Sequence, residues 1–439
     1  MPAPALRGTV QLPADKSIAH RALLLNAMGE GSAVISLHRP GGDVRSTAAA
    51  LADLGALRTL TDADDNATAP VRYHVTGGGR ARAALPGTDP VTLDCGNAGT
   101  LMRLLTGAAT TRAGRTVLTG DDSLSARPME RVAEPLRAMG ARVTTTDGHA
   151  PVTIDGGVPL LPGAHHLRIA SAQVLGALVL AAVAADGVTT ITTPGPTRDH
   201  TERLLTFLGA EVSRTGLTTT VHGPARWECR DIDVPADPSG AAFWLVAGAI
   251  HPRADIILPL VGLNPTRVGV IRVLERMGAH IEVIPAELPG PEPAGRLRIR
   301  SGPRLRAIEL AAPEVADVID ELPVLAIAMA AAEGTSTLTG AGELRVKESD
   351  RIALTVAGLR AIGVDAHELP DGWRITGSPV RTTSSSGSAT VATGGDHRIA
   401  MAFAIADLVG VGTLDCDVDD PACADISYPG FFDDLGSLL

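Results

Sequence analysis

One short phrase recurs six times along the 439 residues and narrows what the chain can become. Each copy runs an apolar, helix-like stretch into a hydrophobic residue and a glycine: ALADLGA with Gly55, PLRAMGARV with Gly140, LLTFLGAEV with Gly209, VLERMGAHIEV with Gly278, GLRAIGVDA with Gly363 and FFDDLGSLL with Gly436. Leucines spaced i, i+3, i+4 put one buried stripe on a helix. A glycine just past its last turn takes the left-handed conformation that closes it, and the β-branched stretch that follows reads as a strand. The glycines are spaced by 85, 69, 69, 85 and 73 residues, which gives two halves of three α/β units each. The sixth phrase ends the chain, so its strand is expected from elsewhere, near Gly8 to Gln11.

The break between halves falls in WECRDIDVPADPSGAAFW, where a strand-like DIDV leads into Pro235 and a new capped helix. Because Lys16 follows the first strand so closely, residues 1–14 are expected to join the second half. The reading is an α/β fold of two domains, 1–14 plus 233–439 and 15–232, each of three repeated βαβαββ-like units, with ligands in the interdomain cleft. Ser384–Ser388 and Thr76–Gly79 read as flexible loop tips.

Composition sets limits on the partners. With 45% hydrophobic and 20% charged residues the chain can bury a large core, and its net charge of -11 without a Lys/Arg run argues against a nucleic-acid binder. The four cysteines, Cys95, Cys229, Cys416 and Cys423, are too scattered for a disulfide framework or a CxxC metal pair. The N-terminus has no signal-peptide pattern, and the apolar run VLGALVLAAVAA is too short to span a bilayer, so a cytoplasmic protein is expected.

Cations in this acidic chain gather in polar knots where a loop enters an apolar helix: DKSIAHR, CGNAGTLMR, SLSARPM, PTRDHTER, LRVKESDR and GGDHRIAM. A helix N-terminus offers free N–H groups and the positive end of the dipole. Arginine and lysine add a fork and a point charge, so several such knots together would hold a multiply anionic ligand. Two carboxylates sit among them. Asp320 in VIDELPVLAIAMA reads as either a helix N-cap or a base, and Glu348 in VKESDR as either a simple partner of Lys347 or a proton carrier. Other chemistries fail on spacing. There is no GxxxxGK[ST], no GxGxxG opening a βαβ unit and no GxSxG; DCDVDD at Asp415 has Asp420 where a calcium loop needs glycine and Ile426 where it needs glutamate; His165–His166 lacks an HExxH context.

Taken in order, LPADKSIAHRALLL, DCGNAGTLMRLL, LSARPM, ASAQVLGALVLAA, PTRDHTERLL, DPSGAAFWLVAGAI, IDELPVLAIAMAAAEGTS, ELRVKESDRI and GGDHRIAMAFAIA resemble the 5-enolpyruvylshikimate-3-phosphate synthase (3-phosphoshikimate 1-carboxyvinyltransferase) family of enolpyruvyl transferases, over essentially the whole chain. The resemblance implies two inside-out α/β domains closing on their ligands, and transfer of the enolpyruvyl group of phosphoenolpyruvate to the 5-hydroxyl of shikimate 3-phosphate, with loss of phosphate. It implies no metal or organic cofactor, a monomer, and no nucleic-acid or membrane partner. By carry-over, Ser17, Arg21, Ser171, Ala172, Gln173 and Arg198 would hold shikimate 3-phosphate together with Asp320 and Lys347. Lys16, Asn97, Gly99, Arg127, Gln173, Arg351 and Arg398 would meet phosphoenolpyruvate. Asp320 would be the base for the 5-hydroxyl, with Glu348 and Lys16 handling the proton at the methylene carbon. The shikimate side would thus sit mostly in 15–232, and Lys347, Arg351, Arg398 and Asp320 in the other domain.

The chain departs from the family pattern in places. Ile426 stands where some members carry a lysine, and Arg198 lies in the TRDH pattern of one branch. Gly99 stands where glyphosate-tolerant members can carry alanine, which implies inhibition by glyphosate in competition with phosphoenolpyruvate. The related UDP-N-acetylglucosamine enolpyruvyl transferases differ at Ser17, where they carry asparagine, and by a loop cysteine that DDSLSARPM lacks. A non-catalytic anion binder on the same scaffold would have no need of Asp320 and Glu348.

Overall fold

The computed structural model describes residues 5–60, 69–79, 83–287, 290–381 and 387–438. Residues 1–4 and most of the serine-rich stretch at Ser384–Ser388 lie outside the described residues. Five of the repeat glycines close their helices as the sequence suggests, with φ of 69° at Gly55, 87° at Gly140, 99° at Gly209, 104° at Gly278 and 83° at Gly363. After each, the next N–H reaches back to a leucine carbonyl: Ala56 to Leu51 at 2.8 Å, Ala141 to Leu136 at 3.1 Å, Ala210 to Leu205, Ala279 to Leu274 and Val364 to Leu359 each at 2.9 Å. That bond satisfies a carbonyl the helix end would otherwise leave orphaned, and it turns the chain directly into a strand.

The sixth phrase differs. Gly436 lies inside the helix Phe431–Ser437. The strand expected to complete that unit, Leu6–Thr9, instead pairs in parallel with Ala254–Gly262 and so edges the sheet of the fourth repeat.

Five sheets have four strands and share one order: a parallel pair, then an antiparallel hairpin whose second strand lies inside. In the second repeat, Val91–Asp94 runs parallel to Gly114–Thr119, which is antiparallel to His149–Gly156, with Arg142–Thr146 at the edge. The sixth sheet is the parallel pair Ser388–Val391 and Asp415–Val418 among the described residues. In the first repeat the opening strand is supplied late in the chain, since Ile232–Asp233 runs parallel to Ser32–Leu37. Two strands are therefore exchanged, Leu6–Thr9 forward and Ile232–Asp233 back.

Helices lie inside and sheets outside. All ten residues of Leu322–Ala331 are buried, as are twelve of the thirteen in Pro238–Ile250. A helix that is apolar all round must be enclosed by other elements. The strands alternate instead, as in Val71–Thr76, whose residues are buried, exposed, buried, half-buried, buried and exposed in turn.

The chain divides into two compact units. Unit 1 is Met1–Pro13, Pro235–Leu288 and Pro293–Leu439; unit 2 is Ala14–Val234 with Pro289–Glu292. Each has its own apolar core. The short excursion at Pro289–Glu292 has no counterpart in the sequence reading. It is anchored in unit 2 by Glu292, whose Oε1 lies 2.7 Å from His200 Nδ1 with both side chains buried. Thr76–Gly79 is also not a loose loop tip. The N–H groups of Gly77, Gly78 and Gly79 donate to Gly31, Ala27 and Gly29, and a Cβ on Gly77 would lie 2.0 Å from the Gly29 carbonyl oxygen. Among the described residues no helix is long and apolar enough to cross a membrane.

Candidate active site

In unit 2 the expected residues sit at or just before the first turns of buried helices. Helix Lys16–Met28 is opened by Asp15, whose carboxylate accepts the Ile18 N–H at 3.0 Å. Lys16 Nζ bonds Asp43 Oδ2 at 3.0 Å while keeping about a fifth of its side chain exposed (18%). Arg21 is buried one turn on. Its Nε donates to Thr201 Oγ1 at 2.7 Å, its Nη1 to the Ser17 carbonyl at 2.9 Å, and its Nη2 to the Ala172 carbonyl at 3.5 Å. One guanidinium thus gathers Ser17, Ala172 and the helix His200–Leu208. Burial draws the Arg21 pKa from its usual value down to about 10, against the pull of Glu202 and Asp15, which leaves it charged at neutral pH.

Helix Ala172–Ala182 begins at Ser171, whose hydroxyl accepts the Val174 N–H at 3.4 Å. Gln173 on its first turn is fixed at both ends of its amide: Oε1 accepts from Arg103 Nη1, and Nε2 donates to Thr100 Oγ1 at 2.8 Å. Both partners lie on helix Gly99–Ala108. Just before that helix, Asn97 Oδ1 accepts from Arg127 Nη2 at 2.7 Å, and Asn97 Nδ2 donates to Asp121 Oδ2 at 2.8 Å. A Cβ on Gly99 would stand 3.0 Å from Arg127 Nη1. Asn97, Gly99 and Arg127 therefore form one group, and Ser17, Arg21, Ala172 and Gln173 another, joined through helix Gly99–Ala108. Arg198 precedes helix His200–Leu208, close enough for its charge to bear on Arg21.

In unit 1, Asp320, Lys347, Glu348, Arg351 and Arg398 come together around a fully buried arginine. Arg351 Nε donates to Asp396 Oδ2 at 2.7 Å and Nη2 to Asp396 Oδ1 at 3.2 Å; Nη2 also reaches Glu348 Oε2 at 2.7 Å, and Nη1 lies 3.6 Å from Asp320 Oδ1. Burial opposes charge on Arg351, but Asp396 and Glu348 outweigh it and hold the guanidinium firmly protonated. Burial likewise opposes charge on Asp396, and Arg351 overcomes it to hold that carboxyl below its usual range. Lys347 Nζ is 3.6 Å from Asp320 Oδ1, and Arg398 Nη1 donates to the Asp320 carbonyl at 2.7 Å.

The geometry shows how the two carboxylates are partnered. Asp320 is not the N-cap of helix Leu322–Ala331; that position is Glu321, which makes no capping bond. The carboxylate of Asp320 faces two cations instead. Glu348 pairs with Arg351 on the next turn. Ile426 ends the 3₁₀ turn Pro421–Ile426 and brings no cation there.

Several partners carried no motif signal: Asp43 beneath Lys16, Arg103 on Gln173, and Asp396, which caps helix His397–Leu408 through the Arg398 N–H at 2.9 Å while binding Arg351. Arg103 and Asp396 stood inside the knots CGNAGTLMR and GGDHRIAM, and the mixed charge of those knots was their only trace.

A family model described as EPSP synthase (3-phosphoshikimate 1-carboxyvinyltransferase) matches residues 2–435. A protein named 3-phosphoshikimate 1-carboxyvinyltransferase from Halorhodospira halophila is 46% identical, with 100% of this chain and 95% of that protein covered. One of the same name from Geobacillus kaustophilus is 41% identical, covering 99% and 98%. A solved structure of EPSP synthase from Acinetobacter baumannii superposes with a TM-score of 0.85 at 38% identity, over 99% of this chain and 96% of that one. With its six-unit fold, its helix-terminal cations and these relatives, the chain belongs to the EPSP synthase family.

Proposed function

We infer that this protein transfers the enolpyruvyl group of phosphoenolpyruvate to the 5-hydroxyl of shikimate 3-phosphate, releasing phosphate, in the shikimate route to aromatic amino acids. The observation that carries the reading is the pairing, in one family member, of cations at helix N-termini with the carboxylates Asp320 and Glu348. Both substrates are anions, and helix N-termini with fixed guanidinium groups recognise anions.

Within unit 2, Ser17, Arg21, Ser171, Ala172, Gln173 and Arg198 are assigned to shikimate 3-phosphate, and Lys16, Asn97, Gly99, Arg127 and Gln173 to phosphoenolpyruvate. Within unit 1, Asp320 and Lys347 are assigned to the shikimate hydroxyls, and Arg351 and Arg398 to phosphoenolpyruvate. In the addition step the 5-hydroxyl oxygen bonds to C2 of phosphoenolpyruvate, its proton leaves to Asp320, and the methylene carbon gains a proton with Glu348 and Lys16 as the candidate donors. Elimination then removes a methyl proton and expels phosphate. Asp320 suits the base role because its carboxylate lies 3.6 Å from both Lys347 and Arg351, cations that stabilise it and would stabilise charge developing nearby. Arg351 is wholly enclosed by its carboxylate partners, so its share in binding is expected to run through Asp320 and Glu348 as much as through direct contact.

Phosphate release tests the reading. Release is expected with phosphoenolpyruvate and shikimate 3-phosphate and not with a UDP-sugar acceptor; release with the UDP sugar alone would transfer the chain to the neighbouring activity, and none with either would leave an anion binder. Glyphosate is expected to compete with phosphoenolpyruvate, and turnover unchanged at millimolar glyphosate would refute that. We place the protein in the cytoplasm, a reducing compartment that its four free cysteines fit, and take it to be a monomer, which sizing by light scattering tests.

A further inference from the structure

Behind Arg398 runs a buried line of alternating charge that the reaction as described does not use. Asp237 caps helix Pro238–Ile250 and its Oδ1 accepts Arg267 Nη2 at 2.8 Å. The same Nη2 donates to Ser239 Oγ at 2.9 Å, and Ser239 Oγ donates in turn to Glu321 Oε1. Glu321 Oε1 lies 3.9 Å from Arg398 Nη1, the nitrogen that holds the Asp320 carbonyl. Arg267, Ser239 and Glu321 are 2%, 4% and 2% exposed, so this line is shielded from water.

Three features give it a direction. A serine hydroxyl has one proton to donate, and with Arg267 filling its acceptor side that proton points at Glu321. Glu321 occupies a helix N-cap position yet makes no capping bond, so its carboxylate is not committed to the helix. Its second oxygen, Oε2, is buried with no hydrogen-bond partner among the described residues, which leaves the charge undivided toward the neighbouring cation.

We propose that Glu321 is a positioning residue for phosphoenolpyruvate binding: held by Ser239, which Arg267 holds in turn, it fixes the guanidinium of Arg398. This rests on the assignment of Arg398 to phosphoenolpyruvate. Removing Glu321 leaves Arg398 free to turn away from the ligand, and a misplaced guanidinium loses binding more than turnover.

The test measures KM for both substrates and kcat in Glu321→Gln, Glu321→Ala, Ser239→Ala, Arg398→Ala and the Glu321→Ala/Arg398→Ala pair, with thermal unfolding to confirm folding. Glu321→Ala is expected to raise KM for phosphoenolpyruvate roughly tenfold or more, the loss of about one charged hydrogen-bond equivalent, with KM for shikimate 3-phosphate within about twofold. Glu321→Gln, which keeps the shape and the acceptor for Ser239, is expected to recover part of this, and Ser239→Ala to show a smaller rise of the same kind. In the Arg398→Ala background, Glu321→Ala should add less than about twofold. Equal rises in both KM values, an additive double variant, or a wild-type KM in Glu321→Gln and Ser239→Ala alike would overturn the proposal. If Arg398→Ala itself leaves KM for phosphoenolpyruvate unchanged, the assignment of Arg398 fails instead, and the two failures are told apart.

Discussion

In unit 2, Arg21 is buried against a hydroxyl and two carbonyls, and Arg127 is steered by the amide of Asn97; in unit 1, Arg351 is gripped by Asp396 and Glu348 with Asp320 beside it, and Arg398 lies by Glu321. Neutral acceptors aim an arginine without cancelling its charge. Carboxylates aim it and cancel it, and they leave a proton acceptor nearby. On the assignments proposed above, unit 2 would serve to hold anions, while unit 1 would combine holding with proton transfer. Lys16 of unit 2 departs from that contrast, since its Nζ bonds a carboxylate, Asp43 Oδ2 at 3.0 Å, and it is also assigned a part in proton transfer.

The comparison breaks first at Asp320. Asp320→Ala is expected to lower kcat by about 10²- to 10⁴-fold, the usual worth of a positioned base, with the fold intact by circular dichroism. A kcat within a few-fold of the parent protein would remove the base role from Asp320. Stability comes next. Arg351→Met strands the buried Asp396 and should cost about 3–5 kcal/mol in urea unfolding, whereas Arg127→Ala, which removes a bond to the neutral amide of Asn97, should cost within about 1 kcal/mol. Equal losses would erase the contrast.

A third measurement reads the neutral packing under Lys16. His20 is buried with Nδ1 2.6 Å from Thr47 Oγ1, and burial, against the pull of Asp43, lowers its pKa to about 3. Since the unfolded chain binds that proton near pH 6.5 and the folded one does not, stability from this group is present above about 6.5 and falls as pH drops toward 3. Between pH 7 and pH 5 the parent should lose on the order of 2 kcal/mol from this source, and His20→Gln should show that much less dependence. An unchanged pH slope would mean that His20 does not stay neutral in the fold. The smallest effect is expected from Gly99→Ala, whose added methyl would press on Arg127 Nη1 at 3.0 Å. KM for phosphoenolpyruvate should rise roughly two- to tenfold with that for shikimate 3-phosphate unchanged; a rise in the second value alone would place Arg127 with the other substrate.

What could be read in advance was what local rules write into neighbouring residues. The glycine closures needed only a leucine stripe, a glycine and a following strand, and five of the six obeyed. Gly436 broke the pattern, lying inside its helix instead of closing it. The cation knots were visible because helix starts bring Asp, Ser, Lys and Arg together in sequence. The bond between Arg351 and Asp396 spans 45 residues, and that between Arg21 and Thr201 spans 180, with nothing periodic to announce either. Asp396 in particular looked like an ordinary cap, and it is one; its second task appears only when two helix starts are brought side by side. Exchange of the edge strands was hidden for the same reason, since Leu6–Thr9 and Ile232–Asp233 are too short to declare which sheet they serve.

That exchange has a consequence for the protein as it is being made. Ser32–Leu37 leaves the ribosome long before Ile232 does, and at about 5–20 residues per second the wait is on the order of ten to forty seconds. Leu6–Thr9 waits in the same way for Ala254. During synthesis the newborn chain therefore carries two unclaimed strand partners, an invitation to chaperones, and its first repeat cannot finish assembling until the last residues of its own lobe have been translated.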